Sequence, residues 1–388
     1  MSLVGIDQIS FYTSNYFLDL RTLAQVQDTD PDKYYQGIGQ EKMGMATHDE
    51  DIVTMAANAA YPLVKDDSAS ISTLLFATET GIDQSKAAGV YVHRLLGLDS
   101  NCRIVELKQA CYSATAALQM ACALVARQPN KKVLVIASDI ARYDLNTPGE
   151  ATQGCGAVAM MVTANPRILS IDPEVGNYTE DVMDFWRPNY RKTALVDGKF
   201  STKIYLKALK KSWEQFREVS PLVFNDFSHF CYHLPFSRMA QKAHQHLAKV
   251  NKSELDAAQL EEQIEDTLLY NRIIGNSYTA SMYIGLTSLL ENSEEDLAGK
   301  NIALFSYGSG CVAEFFSGKV VDGYQQWLFK DLHKAMLDKR QEVSYEDYLT
   351  LYNAPDPKDG AEHTIPAATS GRFRLAAISH HKREYVAI

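Results

Sequence analysis

Short apolar runs alternating with longer helical segments are the feature that most constrains the fold of this chain. Near-continuous apolar stretches occur at 72–78, 131–138, 156–164 and 301–310. Such stretches are typical of strands buried on both faces of a sheet. Residues 112–128 instead carry apolar side chains at helical spacing and stop before Pro129. The alternation predicts an α/β protein with layered sheets and helices.

The order of these elements repeats weakly along the chain. The segments "ACYSATAALQMACALVARQPNKKVLVIAS" and "GNSYTASMYIGLTSLLENSEEDLAGKNIALFSYGSG" each run through turn, helix, loop and strand. If they are related, Cys111 and Asn276 point from two helix starts toward a common centre; coincidence between two ordinary units is the alternative. We predict two similar halves, 1–165 and 166–388, and interpret 166–220, which breaks the pattern, as an excursion over the surface.

Composition and charge exclude several classes of function. The 388 residues are 46% hydrophobic and 22% charged, as in soluble globular enzymes, and the net charge of −10 argues against a nucleic-acid partner. No window approaches the roughly 20 apolar residues of a membrane helix, and we expect no signal peptide in "MSLVGIDQISFY". The six cysteines are scattered without zinc-type spacing. We therefore expect a cytoplasmic protein without a metal site.

Cys111 is the candidate nucleophile. It lies where the predicted helix begins, and the positive end of a helix dipole lowers the pKa of a thiol placed there. The neighbouring Ala110, Ser113 and Ala114 are small and leave space for a substrate. A buried structural thiol is the alternative, because free cysteines commonly fill protein cores.

His233 and Glu79 are candidates for proton transfer. His233 follows an apolar run and precedes Pro235, which predicts a place at the end of a strand. Glu79 directly follows the buried apolar run 72–78. Beside a reactive cysteine, the imidazole would polarise a carbonyl, and burial would raise the pKa of Glu79 into the range useful for moving protons. A hydrogen-bonded core histidine and a capping or ion-paired carboxylate are the alternatives.

Two glycine-containing turns enter predicted strands, at 152–159 (TQGCGAVA) and 306–315 (SYGSGCVAEF). Glycine permits close backbone approach there, and the second turn would offer a backbone N–H to an oxyanion. Neither turn has the spacing of a dinucleotide fingerprint or a P-loop.

These motifs together closely resemble the bacterial 3-hydroxy-3-methylglutaryl-CoA (HMG-CoA) synthases, members of the thiolase superfamily. The matching segments include "GIGQEKM", "QACYSAT", "LVIASDIARYDLNTPGEATQGCGAVAM", "YTEDVMDFWRP", "CYHLPFSRM", "YNRIIGNSYTAS" and "LFSYGSGCVAEF". The resemblance extends to about residue 325, and the more variable final segment carries no inference. One departure is Gln109, where relatives often have an acidic residue, so the field near Cys111 is expected to differ.

The resemblance implies a five-layered α-β-α-β-α fold and a homodimer. It also implies an acyltransferase of isoprenoid biosynthesis by the mevalonate pathway. This enzyme condenses acetyl-CoA with acetoacetyl-CoA and water to give HMG-CoA and CoA, without a separate cofactor. Cys111 would be the nucleophile, Glu79 the general acid/base, and His233 the residue that orients the acetoacetyl group. The implied substrate-binding residues are Asp30, Thr152, Ser201, Lys242, Asn276 and Ser309.

The nearest competing interpretation is a β-ketoacyl-acyl-carrier-protein synthase III-like enzyme, which uses a Cys-His-Asn triad on the same fold. Cys111, His233 and Asn276 would satisfy that triad too. Glu79 argues against it, because a decarboxylative condensation needs no base for a methyl group. Retention of all the reactive residues argues against a non-catalytic binding protein, and a thioesterase would not need an acceptor site.

Overall fold

The computed structural model describes residues 3–388. Its strands are β1 (Val4–Tyr12), β2 (Tyr16–Asp19), β3 (Lys42–Met45), β4 (Ile71–Ala77), β5 (Arg103–Leu107), β6 (Lys132–Ala141), β7 (Gly154–Ala164), β8 (Leu169–Thr179), β9 (Phe185–Trp186), β10 (Leu195–Val196), β11 (Phe227–Tyr232), β12 (Asn301–Gly308), β13 (Val312–Val320), β14 (Gln341–Glu342), β15 (His363–Thr364), β16 (Phe373–Ser379) and β17 (Lys382–Ala387).

The helices are α1 (Leu20–Val26), α2 (Asp32–Tyr35), α3 (Ile52–Val64), α4 (Ala88–Leu96), α5 (Ser113–Arg127), α6 (Gly198–Val219), α7 (Ser237–Val250), α8 (Ala257–Glu262), α9 (Leu269–Ile274), α10 (Ser281–Asn292), α11 (Lys330–Asp338) and α12 (Tyr345–Tyr352). The apolar runs of the sequence become β4, β6, β7 and β12, and the helical run becomes α5, so these predictions are confirmed.

The main sheet repeats one strand order in its two halves. Its order is β11-β12-β13-β8-β1-β7-β6-β4-β5. Counted outward from the junction of β1 with β8, both halves begin with two antiparallel pairs and continue with a parallel pair. Strands β4 and β11 therefore hold equivalent positions, and so do helices α5 and α10, which precede β6 and β12.

Alternation of side chains along the strands produces five layers. In β6, Val133 and Val135 face the central helices α5 and α10, whereas Leu134 and Ile136 face α3 and α4. The strands β12 and β13 likewise share the central helices on one face and pack on α6 and α7 with the other. The layers are α3/α4, the first half-sheet, α5/α10, the second half-sheet and α6/α7, which confirms the predicted thiolase-like α/β fold.

The interpretation of 166–220 as a surface excursion is wrong for most of that segment. Strand β8 pairs with β1 and β13 in the middle of the sheet, and α6 packs as an outer-layer helix. The sequence of β8, LSIDPEVGNYT, lacks an apolar run because this strand is only partly buried along its length. Residues 180–197, which hold only the two-residue strands β9 and β10, keep the irregular character that was predicted.

The C-terminal segment packs on the first half of the chain. Strand β14 pairs with β2, and Phe373, Leu375 and Tyr385 belong to the same hydrophobic cluster as helices α3 and α4. The proposed boundary between residues 165 and 166 stays a prediction. It follows the end of β7, but residues from Gln341 onward pack on the first half again.

Candidate active site

One cavity of about 300 Å³ lies where the two halves of the sheet meet the starts of the central helices. It brings together most of the residues predicted from the sequence, namely Cys111, Thr152, Ser201, His233, Asn276 and Ser309. Aromatic side chains of Tyr143, Phe185 and Tyr278 cover part of its wall. The cavity therefore combines reactive groups with a largely apolar surface, as ligand sites commonly do.

Cys111 lies in a tight turn between β5 and α5. The preceding Ala110 has a positive φ of 44°, and the helix begins two residues after the cysteine, at Ser113. The hydroxyl of Ser113 accepts a hydrogen bond from the backbone N–H of Gln109 at 2.5 Å. This turn directs the thiol into the cavity rather than into the core, which favours the nucleophile interpretation over a structural thiol.

The predicted lowering of the Cys111 pKa is wrong for the resting arrangement. Burial raises the pKa of this thiol well above its usual value, and the negative charge of Glu79 raises it further. The S–H group donates a hydrogen bond to Glu79 Oε1 at 3.0 Å. These effects outweigh the helix dipole, so the thiol is protonated at rest and needs a base within reach.

Glu79, two residues beyond the end of β4, is the carboxyl group within reach of this thiol. Burial raises the pKa of Glu79 to about 8, and the charge of Asp139 acts in the same direction. The hydrogen bond from Cys111 and the charge of Arg187 oppose the rise. The prediction of a buried carboxyl with a raised pKa is therefore confirmed, and such a group can both accept and return a proton near neutral pH.

Asp139 is a buried carboxylate that the sequence analysis missed. Its Oδ1 accepts hydrogen bonds from the hydroxyl of Thr78, the backbone N–H groups of Glu79 and Thr80, and the hydroxyl of Thr80, at 2.6–3.0 Å. Its Oδ2 accepts from the backbone and hydroxyl of Thr279. It thereby ties the Glu79 loop to the start of α10. A polar residue in the apolar strand "VLVIASDIA" was the available signal.

His233 and Asn276 occupy the second half of the cavity. His233 follows β11 as predicted, and burial lowers its pKa to about 3, so the imidazole is neutral. Its Nδ1 lies 3.1 Å from the hydroxyl of Ser281, which leaves Nε2 for a ligand. Asn276 Oδ1 accepts from the backbone N–H of Tyr278 at 2.8 Å, which leaves its amide N–H groups for a ligand.

Structural equivalence relates these four residues in pairs. Glu79 follows β4 and His233 follows the equivalent strand β11, while Cys111 and Asn276 precede the equivalent helices α5 and α10. The internal echo in the sequence thus corresponds to repeated positions around one cavity.

The glycine turn at 308–310 packs directly against the cysteine turn. A Cβ on Gly308 would lie 2.5 Å from the carbonyl oxygen of Gln109, so only glycine fits there. The side-chain amide of Gln109 donates to the carbonyl oxygen of Ser309 at 3.3 Å. Gln109, the departure noted in the sequence, therefore links the two turns with a hydrogen bond that a carboxylate could not donate.

Asp184 joins the predicted Ser201 to the glycine turn. This fully buried carboxylate accepts hydrogen bonds from the hydroxyls of Ser201 and Tyr307 and from the backbone N–H of Gly310, at 3.0, 2.6 and 2.9 Å. It orients one wall of the cavity without lining it.

Three predicted residues do not line the cavity: Glu79, which contacts Cys111, and the surface residues Asp30 and Lys242. Asp30 is exposed and accepts a hydrogen bond from the backbone N–H of Asp32 at 2.9 Å, at the start of α2. Lys242 is exposed on α7, with its ammonium 5.8 Å from the ring of Phe236, which lines the cavity mouth. Thr152 does line the cavity, and its hydroxyl donates a hydrogen bond to the carbonyl oxygen of Gly149 at 2.8 Å.

The described part of the chain shows neither a metal centre nor a membrane span. Within residues 3–388, no three His, Cys, Asp or Glu side chains are grouped so as to hold a metal ion. None of the helices in that range combines the length and apolar character needed to cross a bilayer.

The fold and the cavity define a condensing enzyme of the thiolase-like class. The protein-family model of the hydroxymethylglutaryl-coenzyme A synthase N-terminal region matches residues 2–167. The family model of the C-terminal region matches residues 169–265 and 247–366. The chain belongs to the hydroxymethylglutaryl-CoA synthase family.

Individual relatives agree with this assignment. The chain is 45% identical to hydroxymethylglutaryl-CoA synthase of Enterococcus faecalis over 98% of this chain and 99% of that protein. A crystal structure of an HMG-CoA synthase complexed with CoA superposes with a TM-score of 0.95 at 41% identity, over the full length of both chains. MvaS in complex with HMG-CoA superposes with a TM-score of 0.91 at 37% identity, covering 100% of this chain and 99% of that one.

Proposed function

We propose that this chain condenses acetyl-CoA with acetoacetyl-CoA and water to give HMG-CoA and CoA. The observation that carries the proposal is the 3.0 Å hydrogen bond from the Cys111 thiol to Glu79, because Cys111 lines the same cavity as His233 and Asn276. The family supports the choice of acyl-CoA substrates. All atoms of the product come from the two thioesters and water, so the proposal includes no separate cofactor.

The first step transfers an acetyl group to Cys111. Glu79 takes the S–H proton as the sulfur attacks the acetyl-CoA carbonyl and then passes that proton to the departing CoA thiolate, so that CoA leaves as the free thiol and Glu79 is again a carboxylate. Backbone N–H groups of Cys111 and Ser309 are the proposed donors for the oxyanion, consistent with the contact between their two turns. The products are an acetyl-thioester on Cys111 and free CoA.

The second step forms the carbon–carbon bond. Glu79 as carboxylate removes a proton from the acetyl methyl group, and the resulting enolate attacks the ketone carbon of acetoacetyl-CoA. His233 through Nε2 and Asn276 through its amide polarise the acceptor's oxygen, and Glu79 returns the proton to the alkoxide. Water then cleaves the Cys111 thioester, which yields the free carboxylate of HMG-CoA and restores the thiol.

The contacts outside the cavity fit the long CoA arm. Lys242 beside Phe236 offers a positive charge to phosphate at the cavity mouth, and Asp30 is proposed as a further contact on that side. Thr152 and Ser201 are proposed to bind the acyl portion. The cytoplasm, a reducing compartment, is the proposed location, because the cysteines of the described residues are all free.

The product assay tests this proposal. Purified protein with acetyl-CoA and acetoacetyl-CoA is expected to release HMG-CoA and CoA in equal amounts, measured by liquid chromatography and mass spectrometry. The Cys111→Ala variant is the matched control and is expected to form no product. Condensation that requires a malonyl-carrier protein instead of these substrates would contradict the assignment and favour the synthase III-like reaction.

We also propose a homodimer that pairs through β5. The outer edge of β11 is covered, because Phe230 N–H donates to Gln263 and the Gln263 amide donates to Phe227. At the other end of the sheet, β5 has one neighbour, and its Val105 is 44% exposed. An edge strand with unpaired backbone groups and an exposed valine is suited to pairing with a second copy.

Light scattering tests the dimer. The wild-type chain is expected to have twice the mass of one chain, whereas Val105→Lys is expected to shift it toward the monomer by placing an ammonium in the interface. Val223→Lys, at a 42% exposed valine outside the sheet, is the matched control and should stay dimeric. A monomeric wild-type protein, or a Val105→Lys variant that dimerises as tightly as the control, would contradict this proposal.

A further inference from the structure

Arg187 reaches the Glu79 loop from outside the cavity. It directly follows β9, and its Nη2 donates to the main-chain carbonyl oxygen of Glu79. Its Nη1 is buried and has no hydrogen-bond partner among residues 3–388. A buried donor without a partner is uncommon in native proteins and calls for an explanation.

The groups around Glu79 are mostly acidic or neutral. Asp139 and Cys111 face it and are the acids that interact with it. Tyr143 and Tyr278 also lie close, and burial raises the pKa of both phenols, so they stay neutral. His233, on the far side of the cavity, is neutral because burial lowers its pKa.

Arg187 supplies positive charge to the groups around Glu79. The charge of its guanidinium acts to lower the pKa of both Glu79 and Tyr278. Each step of the proposed reaction places a negative charge on Glu79, Cys111 or the acetyl enolate. A buried anion beside another anion is costly unless a cation balances it. A guanidinium remains charged across the whole pH range in which enzymes work.

We propose that Arg187 is a positioning residue for the condensation, which holds the main chain of Glu79 beside Cys111 and supplies the charge that keeps Glu79 usable as a base near neutral pH. This inference rests on the proposed function and extends it to a residue that does not line the cavity. Because Nη1 has no hydrogen-bond partner, Arg187 holds the Glu79 loop through the one hydrogen bond from Nη2. Its other contribution is the positive charge of the guanidinium.

The test compares the pH dependence of condensation in three variants. Arg187→Met removes both the charge and the bond to Glu79. Arg187→Gln removes the charge but retains an amide donor, and it decides the test if the methionine variant does not fold. Arg187→Lys retains the charge and serves as the matched control. Thermal unfolding confirms that each variant is folded before kcat/KM is measured between pH 6 and 10.

The neutral variants are expected to shift the acidic limb of the profile upward by about 1 pH unit, the lower end of the effect of losing a nearby opposite charge, because Arg187 bonds to the main chain of Glu79 and not to its carboxyl group. At pH 7 this shift corresponds to a rate about tenfold lower, because activity that needs a deprotonated base falls tenfold for each unit below its pKa. Above the shifted limb the rate recovers, and Arg187→Lys keeps the limb within a few tenths of wild type. A merely structural role would instead lower the rate by the same factor at every pH.

Two outcomes distinguish a failure of this inference from a failure of the proposed function. If the wild-type protein forms HMG-CoA but a folded neutral variant keeps the wild-type limb, the role of Arg187 is overturned and the proposed function stands. If the wild-type protein forms no HMG-CoA from acetyl-CoA and acetoacetyl-CoA, the proposed function is overturned, and this inference with it.

Discussion

The Glu79→Gln variant is expected to acetylate at Cys111 but to lose condensation by about 10³-fold or more. Glutamine has the same shape and can still accept the Cys111 S–H bond, but it cannot remove a proton from the acetyl methyl group. Acetylation is expected to be slower, because the base for the S–H proton is lost, but to go to completion, because removing the negative charge of Glu79 lowers the pKa of the thiol. Single-turnover mixing with acetyl-CoA, followed by acetoacetyl-CoA, separates the two steps.

The same substitution is expected to stabilise the fold in a pH-dependent way. The pKa of Glu79 is raised to about 8 in the folded protein, against about 4.3 when unfolded. The wild-type carboxyl therefore costs no stability at low pH, costs progressively more as the pH rises from about 4.3 to 8, and reaches a plateau above 8. The melting temperature of Glu79→Gln should exceed that of wild type by an amount that grows over this window.

Glu79→Asp is a useful comparison, because it keeps the carboxyl but moves it away from Cys111. It should retain part of the condensation activity and the wild-type direction of the pH dependence. A Glu79→Gln variant that condenses at the wild-type rate would contradict the assignment of Glu79 as the base. A melting temperature difference that shrinks as the pH rises would contradict the raised pKa.

The Asp139→Asn variant is expected to lose both stability and activity. The six hydrogen bonds to Asp139 all come from donors, on both of its oxygens. Asparagine offers one acceptor oxygen, so its amide group must face buried N–H groups of the Glu79 loop or of Thr279. Each buried donor left unpaired costs about 1–3 kcal/mol, and the displaced Glu79 should lower condensation about 10²-fold.

Asp139→Asn is also expected to shift the pH profile in the direction opposite to that expected for the neutral Arg187 variants. The charge of Asp139 raises the pKa of Glu79, so its removal should move the acidic limb of the pH profile to lower pH. Thr279→Val, which removes one hydroxyl donor but keeps the carboxylate, is the matched control and should leave the limb in place. An Asp139→Asn variant with wild-type melting temperature and rate would show that this network does not position Glu79.

The layered fold was largely predictable because its evidence is local. Strands such as β6 and β7 are buried on both faces, so their sequences are apolar over most of their length. Helix α5 ends at Arg127, two residues before Pro129. Strand β8 escaped prediction because it is central in the sheet yet half-buried, so neither an apolar run nor strict alternation marks it. The return of β16 and β17 to the first half depends on contacts far apart in sequence, which no local pattern reveals.

The site was predictable only where a residue type stands out at an element boundary. Cys111, Glu79 and His233 lie at the ends of strands or the start of a helix, so their positions could be read locally. The direction of the Cys111 pKa could not, because it depends on burial and on Glu79, which is 32 residues away in the chain but in hydrogen-bond contact. Arg187 gave no signal for the same reason, since its partner Glu79 becomes visible only in the folded chain.

The central claim is that Cys111 carries the acetyl group that becomes part of HMG-CoA. The most direct measurement incubates the wild-type protein with isotope-labelled acetyl-CoA, quenches it, and locates the label by peptide mass spectrometry before and after adding acetoacetyl-CoA. The account predicts one acetyl group on the Cys111 peptide, lost on addition of acetoacetyl-CoA and recovered in HMG-CoA. Label on another residue, or acetyl-Cys111 that acetoacetyl-CoA does not discharge into HMG-CoA, would contradict it.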